Sequence, residues 1–348
     1  MEIKQVIDYL KSYNGRPLKI MEVCGTHTSS IFKNGIRSLI SPKIKLISGP
    51  GCPVCVTPTA YIDRCIEYAS MERHMLLTFG DMMKVPGQNG SLSDVKGTGA
   101  ANVQLMYSPF EAMEKAQQRP DVTYVVAAVG FETTVPAYGL MLQEAKVKGI
   151  YNIKLVTALK TAIPALEWIC ENQNDVDGFL CPGHVSVITG SRVYDQLAGR
   201  YKKPFVVGGF EAEHILAALY RIVRQIEAGE GHTENMYKNA VKEDGNRKAL
   251  QVIESVFEPG PAMWRGLGII EGSGLYLREE FAQYDGGSRE LYKDKQLPKE
   301  CCCGQVITGK LDPDQCPMFG EKCSPVEPYG PCMVSAEGAC GIWYRNVH

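Results

Sequence analysis

The chain has 348 residues, of which 45% are hydrophobic and 22% charged, the balance of an ordinary globular protein. Its 37 basic and 39 acidic residues leave a formal net charge of -2, which excludes a sequence-wide electrostatic attraction to nucleic acid or to an anionic membrane. This length predicts two or three domains, and every apolar stretch is far shorter than the roughly 20 residues of a membrane-spanning helix.

The first predicted element is a short N-terminal helix, because Ile3, Val6, Ile7 and Leu10 are spaced like one face of a helix. This segment lacks the uninterrupted apolar core of a signal peptide, so we expect a cytoplasmic protein. Thiols are kept reduced in the cytosol, and a disulfide there is expected to be transient and catalytic.

Short runs rich in Val, Ile and Leu follow, and they end in turns before helical patterns, as the parallel strands of an α/β sheet do. Ligands bind outside the carboxyl ends of such strands, so we expect the polar turns at these ends to form the site. The predicted strands are residues 18–23, 44–48, 75–79, 124–129, 153–157, 178–181 and 205–207.

A weak internal repeat relates two parts of the chain. Residues 44–48 resemble residues 153–157, and the strand and turn at 21–28 match those at 128–134 in role. The repeat predicts two α/β domains of similar topology with a cleft between them.

Proline and glycine residues at 258–274 predict a crossing between the domains, and the polar segment 285–300 predicts a linker. The predicted fold is therefore α/β, with two similar parallel-sheet domains and a smaller cysteine-rich domain. The predicted boundaries are 13–120, 121–285 and 286–348, with the helix at 1–12 packed on the last domain.

Two of the thirteen cysteines, Cys52 and Cys55, form a Cys-x-x-Cys pair after the second strand. This spacing lets both sulfurs reach disulfide distance, and a helix predicted at 59–68 favours a thiolate near its start. A redox pair is favoured because this domain has no second close cysteine pair. The alternatives are two zinc ligands or two inert core thiols.

Cys24 and His27 lie on one tight turn after the first strand. A thiolate beside an imidazole suits iron, copper or zinc. The alternative is a buried thiol beside a histidine that only hydrogen-bonds the turn. The nearby Cys-x-x-Cys pair favours a functional interpretation of Cys24.

The cysteine-rich tail places four thiols on separate parts of a Pro- and Gly-rich segment. Four thiolates are the ligands of a [4Fe-4S] cluster, and structural zinc sites more often use Cys-x-x-Cys knuckles, which the tail lacks. An iron-sulfur domain is therefore favoured over zinc, with disulfides third, and Cys302 and Cys332 are left spare. The candidate ligands are Cys301 or Cys303, Cys316, Cys323 and Cys340.

Two polar turns in the second domain, at 130–134 and 182–186, carry no thiol chemistry of their own. They suit an anion or a partner's chain, with His184 as a polar contact, or they serve only as helix caps. The cysteines in apolar surroundings are predicted to pack in the core: Cys65, Cys170 and Cys181.

Five long motifs, in order along nearly the whole chain, resemble those of the HypD family of [NiFe]-hydrogenase maturation factors. They are Cys-Gly-Thr-His at 24–27, Gly-Pro-Gly-Cys-Pro-Val-Cys-Val-Thr-Pro at 49–58, Gly-Phe-Glu-Thr-Thr at 130–134, Pro-Gly-His-Val-Ser at 182–186 and Pro-Cys-Met-Val-Ser-Ala-Glu-Gly-Ala-Cys at 331–340.

The resemblance implies two similar α/β domains and a third domain built around a [4Fe-4S] cluster. It also implies a scaffold that works with the chaperone HypC and holds iron while ligands are added to give Fe(CN)2CO. Cyanide would arrive from HypE in a transient contact. Such a protein is a redox-active metallocentre assembly factor rather than a conventional turnover enzyme.

By the same resemblance, Cys24 is the iron ligand and His27 has a supporting or proton-transfer role. Cys52 and Cys55 are the redox pair, and their thiolates help to hold iron or drive cyanide transfer. Glu337 is a further candidate near the cluster. The family's cluster ligands follow the spacing of Cys301, Cys316, Cys323 and Cys340, and the three adjacent cysteines leave Cys303 as the alternative to Cys301.

A second functional hypothesis is a self-contained iron-sulfur thiol-disulfide oxidoreductase. It is disfavoured because no Gly-x-Gly-x-x-Gly fingerprint follows a strand. A purely structural zinc protein would leave Cys52 and Cys55 unexplained.

Overall fold

The computed structural model describes residues 2–88, 90–99, 101–294 and 300–347. Its strands are Leu18–Glu22 (β1), Ile44–Ser48 (β2), His74–Thr78 (β3), Val103–Leu105 (β4), Thr123–Gly130 (β5), Ile153–Leu159 (β6), Gly178–Cys181 (β7), Phe205–Val207 (β8), Thr233–Asn235 (β9), Phe257–Trp264 (β10) and Gly268–Leu277 (β11).

Helices follow most of these strands. The α-helices are Ile3–Ser12 (α1), Gly25–Lys33 (α2), Thr59–Ala69 (α3), Leu92–Gly97 (α4), Phe110–Gln118 (α5), Val135–Val147 (α6), Ala162–Asn172 (α7), Gly183–Thr189 (α8), Asp195–Tyr201 (α9), Ala212–Glu227 (α10), Arg247–Val256 (α11), Cys303–Ile307 (α12), Pro331–Val334 (α13) and Ala339–Val347 (α14). Short 3-10 helices lie at Ile36–Leu39, Gly80–Met82, Arg192–Tyr194, Glu279–Tyr284 and Pro313–Gln315.

Two parallel sheets form the body of the fold, as the α/β prediction requires. Sheet A has the strand order β2-β1-β7-β8-β9, and sheet B has the order β4-β3-β5-β6. All seven predicted strands are present, within one or two residues at each end. The strands β4 (Val-Gln-Leu) and β9 (Thr-Glu-Asn) were not predicted, because they lack the continuous apolar run that identifies the equally short β8 (Phe-Val-Val).

The sheets do not follow the predicted boundary between residues 120 and 121. The chain builds β1 and β2 in sheet A, then all four strands of sheet B, and returns to sheet A with β7. The boundary is wrong because β1 pairs in parallel with β7, about 160 residues later in the chain, where Ile20 lies opposite Gly178. The internal repeat has a structural counterpart in the strand orders. In sheet A, β2 is the edge strand beside β1, and in sheet B, β6 is the edge strand beside β5.

The predicted crossing at 258–274 is instead an antiparallel hairpin of β10 and β11. Pro259 and Pro261 argue against a strand in the sequence, so β10 was not predicted. A two-stranded hairpin accommodates them because proline fits an edge strand or a bulge. The hairpin lies against β6 and α7, where the Thr161 N–H donates to the Ser273 carbonyl at 3.0 Å. Residues 295–299 of the predicted linker lie outside the described residues.

Helix α1 packs on sheet A and not on the cysteine-rich tail, contrary to the predicted placement of residues 1–12. Its apolar face contacts α10, and Val6 and Leu10 share a core with Leu216 and Leu219. The helix needs only an apolar partner face, which α10 supplies.

The tail connects the two sheets. Its segment 335–337 contacts α2 of sheet A through Glu337, and on the other side Ser335 Oγ donates to Asp81 Oδ2 at 3.0 Å after β3 of sheet B. The Ala336 N–H reaches the same oxygen at 3.3 Å. None of the helices in the described ranges combines the length and the apolar character needed to cross a membrane.

We expect Gly25→Ala to destabilise the fold by about 1–3 kcal/mol, because overpacking a tight contact forces backbone shifts. A Cβ atom at Gly25 would lie 2.3 Å from the Glu337 carbonyl oxygen, whereas one at Gly199 meets nothing within 4 Å. Denaturant unfolding of both variants measures this, with Gly199→Ala as the control. Equal stability of the two variants would contradict the contact between α2 and the tail.

Candidate functional site

The cleft between the sheets collects the polar turns at their carboxyl ends. Turns after β1 and β7 approach it from sheet A, the turn after β5 approaches it from sheet B, and the hairpin and the tail complete it. The cavity has a volume of about 60 Å³. Its lining is Val23, Cys24, Pro50, Gly51, Phe131, Thr133, Ala162, Ala165, Pro182, His184, Val185, Trp264 and Glu337.

Cys24 lines this cavity as the residue that precedes α2. Burial raises the pKa of its thiol to about 11, and hydrogen bonds from the Thr26 side chain and from the Thr26 and His27 N–H groups oppose that shift. The first turn of α2 therefore points donors at the sulfur, which stabilise a thiolate in part, but burial outweighs them and the free group is a protonated thiol.

His27 is fully buried and is not among the residues that line the cavity. Its Nε2 lies 3.1 Å from the Gly209 carbonyl oxygen, and its ring packs at a tilt against Phe210 with centroids 4.7 Å apart. Burial lowers the pKa of His27 to about 4, so the ring is neutral. These contacts describe a supporting position, and the proton-transfer role of His27 stays a prediction.

Cys52 and Cys55 form a disulfide in the turn after β2, with Cα atoms 5.3 Å apart. Both residues are buried. The Cys55 N–H donates to Cys52 Sγ at 3.1 Å, and Cys55 Sγ lies 3.9 Å from the carbonyl oxygen of Pro331 in the tail. The pair thus lies between the cleft and the tail, and its sulfurs become thiolate ligands only after reduction.

Arg265, in the hairpin turn, fixes the segment that follows the disulfide. Its N–H donates to the Val56 carbonyl and its Nε to the Thr57 carbonyl, each at 2.9 Å. The side chain is 2% exposed, and its terminal nitrogens have no hydrogen-bond partner among the described residues. Burial raises the pKa of the Cys303 thiol in the tail, and the Arg265 charge opposes that shift.

Glu337 connects the tail to the cleft. Its backbone and Cβ pack against Gly25 at the start of α2, and its side chain lines the same cavity as Cys24. Burial raises the pKa of its carboxyl group, and the charge of Asp81 adds to the shift. Glu337, predicted near the cluster, therefore lines the cleft with Cys24 and is not among the residues that line the cavity of the tail cysteines.

Six tail thiols surround a second, apolar cavity. Cys332, predicted to be spare, is one of them, and the Cys340 N–H donates to its sulfur at 3.3 Å. Cys302 is outside this lining, with its sulfur 3.7 Å from the Glu300 carbonyl. The lining cysteines are Cys301, Cys303, Cys316, Cys323, Cys332 and Cys340.

The donor chemistry of this cavity fits a thiolate-bound cluster. In the described ranges, no three or more His, Cys, Asp or Glu side chains are arranged to hold a metal ion. A [4Fe-4S] cluster takes one thiolate at each of four irons, so its ligands surround a volume instead of converging on one atom. Apolar neighbours such as Met318 and Phe319 would shield such a group from water.

Two buried charged side chains flank the cleft on the sheet B side. The Glu132 carboxylate accepts the Ala162 N–H at 2.8 Å, and burial raises its pKa to about 7. Lys160 donates to the Met263 carbonyl at 2.7 Å and lies over the Trp264 ring, and burial lowers its pKa to about 7.

Sequence reasoning missed Trp264, Arg265 and Lys160 as neighbours of the site. Lys160 and Glu22 share a detectable signal, because each is a charged residue at the carboxyl end of a strand: Glu22 is the last residue of β1, and Lys160 directly follows β6. The hairpin residues gave none, since the hairpin itself was not predicted. The predicted core positions of Cys65, Cys170 and Cys181 are all buried.

The fold and cleft define a class: an α/β protein with a thiol-based centre between two parallel sheets and a cysteine-rich tail. A family model described as "HypD: Hydrogenase formation hypA family" matches residues 1–347. The chain belongs to this family.

Curated relatives extend the comparison over nearly the full length. The chain is 41% identical to hydrogenase maturation factor HypD of Escherichia coli strain K12, covering 99% of this chain and 95% of that protein. It is 39% identical to HypD of Rhodobacter capsulatus, over 99% and 93% of the two chains. It is also 39% identical to a putative hydrogenase expression/formation protein of Methanocaldococcus jannaschii, over 99% and 96%. The chain is therefore a hydrogenase maturation factor of the HypD family.

The lowered pKa of Lys160 predicts that the stability of the protein depends on pH. Its pKa is lower in the folded chain, about 7, than the usual 10.5, so above pH 7 the unfolded state binds more protons and folding stability rises with pH. From pH 7.5 to 9.5 we expect Lys160→Met to remove a rise of about 2–2.5 kcal/mol, since the slope is at most about 1.4 kcal/mol for each pH unit.

Denaturant unfolding at the two pH values measures this difference, with exposed Lys84→Met as the control. A wild-type rise that survives in Lys160→Met would show that Lys160 is not the titrating group.

Proposed function

We propose that this chain is a scaffold on which, with the chaperone HypC, an iron ion is held while cyanide and carbon monoxide are attached to form the Fe(CN)2CO group of [NiFe]-hydrogenase. Cyanide would be delivered by HypE in a transient contact. The protein would act in the cytoplasm as an assembly factor, with no requirement for membrane or nucleic acid.

One observation carries the proposal: three thiol groups follow one another through the molecule. Cys24 lines the cleft, and a Cβ atom at Gly51, next to Cys52, would lie 2.6 Å from the Cys24 amide nitrogen. Cys55, the second cysteine of the pair, contacts Pro331 of the tail, and the next residue, Cys332, lines the tail cavity. This order suits electron transfer from the tail to an iron ion at Cys24.

Iron, the cargo of the scaffold, would bind the Cys24 sulfur in place of the thiol proton. The raised pKa of the buried thiol means that a free thiolate is unfavourable there, and a cation that binds sulfur compensates the charge. Cyanide and carbon monoxide require an electron-rich iron, and a thiolate ligand supplies that density. Glu337 and His184, which line the cavity, would contact the incoming ligands.

In this proposal the Cys52–Cys55 disulfide accepts electrons, and the dithiol form of the pair holds them. Its reduction takes two electrons and two protons and gives the Cys52 and Cys55 thiols, which can then contribute to holding iron. The tail residues that would hold a [4Fe-4S] cluster are Cys301 or Cys303, Cys316, Cys323 and Cys340. When bound, such a cluster supplies electrons one at a time.

Replacing Cys24 by Ala should leave the fold and the iron content of the tail unchanged. It should abolish the infrared bands of iron-bound cyanide and carbon monoxide in the complex with the chaperone, because the cargo loses its ligand. Cys65→Ser, at a buried cysteine away from the cleft, is the control. Persistence of the bands in Cys24→Ala would exclude Cys24 as the ligand.

Anaerobically purified protein should contain about four irons and four sulfides per chain. Cys316→Ala and Cys323→Ala should lose them, whereas Cys302→Ala should retain them, because Cys302 is outside the cavity lining. Metal and sulfide analysis with electron paramagnetic resonance measures this. Zinc in place of iron would rule out the cluster.

A further inference from the structure

Glu22 is a buried carboxylate for which the proposed function gives no role. It is the last residue of β1, two residues before Cys24, and it is 2% exposed. Burying a charged group is unfavourable unless hydrogen bonds compensate it. The partners of this carboxylate therefore show what it does in the fold.

The carboxylate hydrogen-bonds both thiol-bearing loops. Its Oε1 accepts from Ser48 Oγ at 2.6 Å and from Thr28 Oγ1, and its Oε2 accepts the Cys24 N–H at 3.4 Å. Ser48 ends β2 and directly precedes the Gly-Pro-Gly turn that leads to Cys52. The Glu22 carbonyl also accepts the Gly49 N–H at 2.8 Å.

The two loops touch where Glu22 holds them. A Cβ atom at Gly51 would lie within 2.7 Å of the Val23 and Cys24 backbone, so the turn that carries Cys52 lies directly on the Cys24 loop. A displacement of either loop therefore changes the position of its thiol relative to the other.

We propose that Glu22 is a positioning residue that sets the placement of Cys24 relative to the Cys52–Cys55 pair. Its Oε2 accepts from the Cys24 N–H, and its Oε1 accepts from the hydroxyls of Thr28 and Ser48. This inference rests on the proposed function, in which these thiols act on one iron ion.

Thr28 and Ser48 each donate one hydroxyl hydrogen bond to this carboxylate, Thr28 from α2 just after Cys24 and Ser48 from the end of β2 before Cys52. A valine at position 28 has nearly the same shape as threonine but no hydroxyl. Thr28→Val therefore removes a hydrogen bond on the Cys24 side and leaves the Ser48 bond in place. Ser48→Ala removes the hydroxyl on the Cys52 side and leaves the Cys24 N–H bonded.

The experiment measures both sides in the same anaerobic full-length protein. The first readout is the alkylation rate of Cys24 by iodoacetamide, followed by peptide mass spectrometry. The second is the equilibrium constant of the Cys52–Cys55 disulfide with dithiothreitol. Loss of one hydrogen bond corresponds to a change of about fivefold, so Thr28→Val should change the first readout by about that factor and the second by less than about twofold.

Ser48→Ala should give the opposite selectivity, with the disulfide equilibrium shifted about fivefold and Cys24 alkylation nearly unchanged. Both variants are close in shape to the native residue, and thermal unfolding checks their fold. Changes in both readouts, or in neither, for either variant would overturn the positioning role, because a general loss of packing has no such selectivity.

Ferrous iron binding to the wild type, measured by competition with a chromophoric chelator, separates this inference from the proposed function. If iron binds without any dependence on Cys24, the proposed function fails. The two thiol readouts contain no iron and still decide the role of Glu22.

Discussion

Close backbone contact between three segments is the constraint on which this structure depends. The loops after β1 and β2 and the tail segment 335–337 meet in the cleft, and each contact involves a glycine that leaves no room for a side chain. Gly25 lies against Glu337, and Gly51 lies against the Cys24 backbone. Parallel strands direct their carboxyl ends to one edge, which explains why the loops converge. Without these contacts Cys24, the disulfide and the tail thiols would belong to separate surfaces.

Burial gives the cleft its chemical character. Desolvation raises the pKa of Cys24 and of Glu132, and it lowers the pKa of His27 and of Lys160, so each group is pushed toward its neutral form. A site in which free charges are unfavourable binds a cation through thiolates more readily than it holds the thiolates alone. The same dry surroundings would keep water from a low-spin iron ion in the proposed assembly step.

The sequence predicts the local elements well and their assembly poorly. Strand 44–48 and the turn carrying Cys52 follow from apolar runs and glycine, and the resemblance identifies the family. The return of the chain to sheet A at β7 is a pairing between distant segments, which no local pattern records. Cys332 was set aside because a cluster needs four thiolates, yet it lines the tail cavity with five others. Such placement depends on how α13 and α14 pack.

Anomalous diffraction at the iron absorption edge, from anaerobic crystals of the protein with its chaperone, tests the central claim most directly. The account predicts two separate iron positions, one within bonding distance of Cys24 in the cleft and one inside the tail cavity. Iron in the tail cavity alone, with Cys24 free while the chaperone is bound, would contradict it.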